Sequence, residues 1–139
     1  MSDVKDAETA VVDTVLVVDD DVLVRMVIAA YLRDCGYRVI EAASAEEARL
    51  VIDHDEPASV SIVLSEVGLV GEADGFALAQ WIRGRRPELE VVLAGTPAKA
   101  AEAAGDICQR GPTLSRPYEP KAVLERIRRL LSNRRRPPT

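Results

Sequence analysis

The sequence predicts an α/β domain: a doubly wound, five-stranded parallel sheet with helices on both faces. Three observations carry this expectation. Strand-like and helix-like segments alternate five times along 139 residues. The strands near residues 15–18, 62–64 and 91–93 are near-continuous runs of Val, Leu and Ile, as central parallel strands buried on both sides require. Carboxylates gather at two strand ends, where ligands sit in such sheets.

The first strand, residues 14–18, ends in Asp19, Asp20 and Asp21. Asp21 is placed to cap the helix that follows. That helix, residues 22–35, repeats apolar residues at Leu23, Val27, Ala30 and Tyr31 and stops at Gly36. Residues 37–41 alternate as a second strand. Ser44 with Glu47 three residues on is a capping-box signature for a helix ending near Asp53. His54 sits on a polar turn and reads as solvent-exposed.

The third strand, residues 60–65, delivers Glu66 to its C-terminal end. A glycine-bearing loop, residues 67–73, leads to Asp74, the expected cap of a helix through Phe76, Leu78, Ala79, Trp81 and Ile82. Residues 91–94 form the fourth strand. Thr96-Pro97 opens an alanine-rich helix with proline in its first turn. Gly105 interrupts that helix and its apolar stripe is weak, so it is expected to be the least stable element. Residues 113–115 read as a short fifth strand. Residues 120–131 form an amphipathic helix through Val123, Leu124, Ile127, Leu130 and Leu131.

One domain accounts for this pattern: residues 14–132, between a flexible segment 1–13 and a basic tail 133–139. The composition, 47% hydrophobic and 29% charged, is that of a globular protein with an aliphatic core, aromatics being 4%. No run approaches the roughly 20 apolar residues of a membrane helix. The start is acidic and polar, unlike a secretory signal. Cys35 and Cys108 lack metal-ligand spacing, and the expectation is reduced thiols in a cytoplasmic protein. The net charge of −5 is unevenly spread: residues 1–109 carry −12 and residues 110–139 carry +7. The basic tail reads as a solvated terminus, contact with an acidic partner or nucleic acid being the alternative, and no membrane is expected as partner.

These motifs together resemble the receiver domain of two-component response regulators over roughly residues 14–131. The likeness rests on Val17-Val18-Asp19-Asp20-Asp21, on Ile62-Val63-Leu64-Ser65-Glu66, on Asp74-Gly75-Phe76, and on Arg116-Pro117-Tyr118, where the family usually has Lys-Pro-Phe. The resemblance implies a flavodoxin-like fold with strand order 2-1-3-4-5. It also implies an acidic pocket binding Mg²⁺, an aspartate taking a phosphoryl group from a histidine kinase, a hydroxyl after strand four, and a lysine after strand five.

Carried over residue by residue, Asp19 and Asp20 match the acidic pair, and Glu66 falls on the phosphoacceptor position. Ala94 and Thr113 fall on the two switch positions, and Arg116 falls on the lysine position. A divalent ion would take oxygens from Asp20, Glu66 and the Gly68 carbonyl. The loop before Asp74 is one residue longer than the common form and lacks its proline.

Only the acidic pair matches fully. Glu66 carries its carboxylate roughly 1.5 Å further than aspartate would, which suppresses in-line transfer. Ala94 has no hydroxyl; Thr96, two residues on, is a partial substitute. Two carboxylates ~4 Å apart repel by about 4 kcal/mol at an intermediate dielectric, so three of them call for a cation. Arg116 supplies one able to hold Glu66 in a bidentate pair.

The resulting expectation is an atypical, stand-alone receiver that is not an enzyme. It would act by contact with a histidine kinase, a phosphotransferase or another regulator, or as a homodimer through the strand-five face, with phosphorylation lost or marginal. The alternative is an active phosphorelay receiver using Asp19 or Asp20 as acceptor.

Overall fold

The computed structural model describes residues 13–54, 60–111 and 119–135. Four strands form one parallel sheet in the order β2-β1-β3-β4: β1 (Thr14–Val18), β2 (Arg38–Ala42), β3 (Val60–Glu66) and β4 (Glu90–Ala94). The expected fifth strand, with Thr113, lies outside the described residues. β1 is buried at all five positions and β3 at five of seven, because each is flanked by strands on both edges and covered by helices on both faces.

The helices are α1 (Val22–Asp34), α2 (Ala45–Asp53), α3 (Gly75–Arg85), α4 (Pro97–Gln109) and α5 (Pro120–Arg135). Each of the first four begins where a short polar side chain satisfies the free amides of the first turn. Asp21 accepts from the Leu23 and Val24 amides, Ser44 from Glu47, Asp74 from Ala77, and Thr96 from Lys99. Glu47 returns a bond to the Ala43 amide at 2.7 Å, one residue before the cap. These starts agree with the sequence reading. His54 is exposed, as expected.

The sheet separates two apolar clusters. On one face α2 and α3 bury Ala45, Ala48, Ile52, Leu78 and Ile82 against Leu16, Val18 and Val63. On the other, α1, α4 and α5 pack together over Val15, Val17, Ile62 and Leu64. The weak stripe of α4 proves well buried, since Ala100, Ala101, Ala104, Gly105, Ile107 and Cys108 are all enclosed. Small side chains let α4 approach its neighbours closely: a Cβ on Gly105 would lie 2.3 Å from Pro120 Cγ.

The expectation of free thiols is overturned. Cys35, the C-cap of α1, and Cys108, in the last turn of α4, form a disulfide with Cα atoms 5.5 Å apart. Their separation of 73 residues concealed the contact. Only the packing of α4 on α1 brings them together.

Gly75 opens α3 against the end of β3. A Cβ there would lie 2.2 Å from the Glu66 carbonyl oxygen and 2.9 Å from Val67 Cα, both backbone atoms that cannot swing away. The Gly75 amide meanwhile donates to the Val67 carbonyl at 2.8 Å. Gly75→Ala is expected to cost about 1–3 kcal/mol by overpacking, measured as a lower urea midpoint. An unchanged midpoint would show that α3 and β3 separate freely.

Candidate functional site: an acidic pocket at the strand ends

Parallel strands place their C-terminal ends side by side, so β1 and β3 bring Asp19, Asp20 and Glu66 to one spot. Each offers a carboxylate oxygen, and these oxygens all lie within 4.8 Å of one another. Ala94 is paired with Glu66 in the β3–β4 register, and its carbonyl accepts from the Val67 amide at 3.1 Å. It is buried and brings no polar side chain to the pocket.

The carboxylates are held differently. Asp19 is buried, and its Oδ1 accepts from the Asp21 amide at 2.8 Å. Asp20 is half-buried, and its Oδ2 accepts from the Val70 amide at 2.9 Å, tying the β3–α3 loop across the pocket. Gly68 lies in the exposed part of that loop. Glu66 Oε1 is buried and has no hydrogen-bond partner among the described residues. Thr96 Oγ1 lies at the rim and is engaged by the Lys99 amide at 3.1 Å, so its hydroxyl serves as a helix cap.

Crowded acids in a partly dry pocket resist ionising together. Burial first, then a hydrogen bond with Asp19 and the charges of Asp19 and Asp20, pushes Glu66 up to about 8. Burial is also the main cause raising Asp19, while its bonds from the Asp21 amide and with Glu66 pull the other way. A proton retained on Glu66 is one way to meet the demand of these crowded acids. A cation is the other way to satisfy it. Three clustered carboxylates are hard oxygen donors of the kind a small divalent ion takes, so the residues present fit Mg²⁺.

Sequence reasoning did not find Arg25. It donates to the Asp19 carbonyl at 2.8 Å and to Glu41 Oε1 at 3.1 Å, pinning the β1–α1 turn to β2. Its position four residues after the Asp21 cap was the available signal. It neutralises Glu41, and among the described residues no cation pairs with Glu66. Arg116 lies outside the described residues.

Behind the acids is a cavity of about 190 Å³, floored by Val17, Val24, Ile28, Leu64, Ala100 and Leu131. Thr96 and Pro97 of α4 form part of its wall.

The raised Glu66 has a pH consequence. Glu66 is protonated in the folded chain up to about pH 8 but releases its proton near 4.5 when unfolded. Between those values the native state binds more protons, so stability falls as pH rises through the window and levels off above it. Mg²⁺ needs the ionised acids, so its stabilising effect should grow over the same interval. Urea midpoints followed across that range, with and without Mg²⁺, check both trends, and Glu66→Gln should flatten the first. A midpoint that rises with pH in wild type would show that Glu66 is not held protonated in the folded chain.

Residues 15–128 match the family model described as response regulator receiver domain. Among curated proteins, the chain is 30% identical over 126 residues to the transcriptional regulatory protein AruR of Pseudomonas aeruginosa, covering 88% of this chain and 50% of that one. It is 29% identical over 127 residues to a probable transcriptional regulator, ycf27, of Pyropia yezoensis, covering 86% and 47%. The chain thus spans about half the length of these relatives. Among solved structures, the receiver domain of NtrX from Brucella abortus superposes with a TM-score of 0.55 at 29% identity, over 85% of this chain and 98% of that one. No helix among the described residues is long and apolar enough to cross a membrane.

Proposed function

Because the chain belongs to the response regulator receiver family, a signalling module of two-component systems, we propose that it is a receiver whose phosphoacceptor position is held by Glu66. In this reading phosphoryl transfer is lost or marginal, and output comes from protein contact. The observation that carries the reading is the placement of Glu66: it ends β3 with a carboxylate oxygen within 4.8 Å of those of both acids of the pair.

Three departures act in one direction. The longer side chain puts its carboxyl where an incoming phosphoryl group would need space. Protonation near neutral pH removes the nucleophilic lone pair's charge. Ala94 offers no hydroxyl to draw α4 toward a modified site. A bound Mg²⁺ would offset two of the three negative charges of the acids. Above the pH at which Glu66 ionises, Arg116 at the lysine position is the proposed cation for it, and that ion pair is the proposed stand-in for a phosphorylated state.

The partners proposed are a histidine kinase, a phosphotransferase or another regulator. Arg126, Arg128 and Arg129, exposed on α5, supply a basic face for that contact or for a homodimer.

Incubation with acetyl phosphate and Mg²⁺, followed by intact mass measurement, tests the reading. No gain of roughly 80 Da is expected. A gain mapped to Asp19 or Asp20 establishes instead an active phosphorelay receiver with a displaced acceptor.

A further inference from the structure

We propose that Cys35 and Cys108 are a reversible thiol–disulfide site that holds α4 on the α1 face of the sheet, and that reducing the bond releases α4 from it. The inference is independent of the role of Glu66. It begins with the winding of the chain. From β1 to β2 the chain steps in one direction and α1 covers one face. From β2 to β3 and on to β4 it steps the other way, and α2 and α3 cover the opposite face. Right-handed crossovers require this alternation. A chain continuing outward past β4 with the same hand would place α4 beside α2 and α3.

The structure has α4 on the other side, packed with α1 and α5. Two specific ties hold it there. One is the disulfide. The other is a buried hydrogen bond of 2.6 Å from the Tyr37 hydroxyl to the Ile107 carbonyl, one residue from Cys108. Both join the end of α4 to the end of α1 and the start of β2. The remaining contacts of α4 come mostly from alanines, which bury little area each. The disulfide thus adds a covalent tie to packing made mainly by small side chains.

The chemistry balances by exchange with a low-molecular-weight disulfide such as glutathione disulfide. One cysteine thiolate attacks a sulfur of the oxidant and releases a thiolate. The second cysteine then displaces the other thiolate, so one protein disulfide and two small thiols result. A dithiol reductant reverses the sequence. Both sulfurs are enclosed, Cys35 being 1% and Cys108 6% exposed. Exchange therefore requires the end of α4 to lift, which couples the oxidation state of the pair to the position of the helix. The opposite end of α4 supplies Thr96, Pro97 and Ala100 to the cavity beside the acidic triad. A helix released at its far end would reshape that wall.

The test uses the full wild-type chain, equilibrated with either glutathione disulfide or dithiothreitol. Alkylation and intact mass count the free thiols, and amide hydrogen exchange reads each element. The expected result is no alkylated thiol in the first sample and two in the second, with exchange in residues 97–109 at least about tenfold faster after reduction. Exchange in β1 and β3 should not change. Two free thiols under the oxidant, or equal exchange of α4 in both states, would overturn the proposal. Loss of helical circular dichroism on reduction would also overturn it, by making the bond a fixed staple of the whole fold.

Discussion

Glu66→Asp is expected to raise the chain's acceptance of a phosphoryl group from acetyl phosphate in the presence of Mg²⁺. The rate should rise by at least about 10², the effect of moving a reacting atom by ångströms within a bound complex. Shortening the side chain withdraws the carboxyl roughly 1.5 Å from the phosphoryl's place. It also eases the crowding with Asp19 and Asp20 that, after burial, pushes Glu66 up to about 8, so more of the acceptor is ionised at neutral pH. The carboxylate oxygen then bonds to phosphorus as acetate leaves.

Modification alone should not complete a switch in this variant. Ala94 still has no hydroxyl, and Thr96 Oγ1 remains committed to the Lys99 amide. Intact mass and peptide mapping read the gain, and unchanged helical circular dichroism confirms folding. A folded Glu66→Asp protein that stays unmodified would mean side-chain length is not what blocks transfer.

Reducing the Cys35–Cys108 disulfide is expected to lower global stability by about 4 kcal/mol, as chain-entropy bookkeeping gives for a closed loop of 73 residues. The open thiols restore the freedom of that loop in the unfolded chain, which is where most of the effect arises. With total stability commonly about 5–15 kcal/mol, the reduced protein stays folded with a much smaller margin. In urea the midpoint should fall by roughly 2 M. Trp81, packed beside Arg49 and Arg85 on the far side of the sheet, is a convenient fluorescence reporter. Equal midpoints with and without dithiothreitol would show that the unfolded chain is already constrained.

The element order was legible in the sequence because it rests on local signals. Asp21, Ser44, Asp74 and Thr96 cap helices through contacts two or three residues away. β1 and β3 announced themselves as apolar runs because central parallel strands have no polar face. The meeting of Asp19, Asp20 and Glu66 was also legible, since parallel strands always align their C-terminal ends. What the pocket does with three acids was not. Three converging acids called for a cation, with Arg116 expected to supply it; Arg116 lies outside the described residues, and in the pocket burial raises both Glu66 and Asp19. Sequence says that charges converge. It does not say how deeply they are buried, and burial is the first cause of both shifts.

The amino-acid sequence by itself determined the alternating α/β order, the helix caps and the family, because each depends on residues close together along the chain. Tertiary structure alone decided that α4 lies on the α1 face, that Cys35 and Cys108 are bonded, and how deeply the acids of the pocket are buried. These depend on which surfaces meet across the sheet. That choice is made by shape, by the small side chains that let α4 approach, and by loss of water around the acids, none of which is written in local spacing.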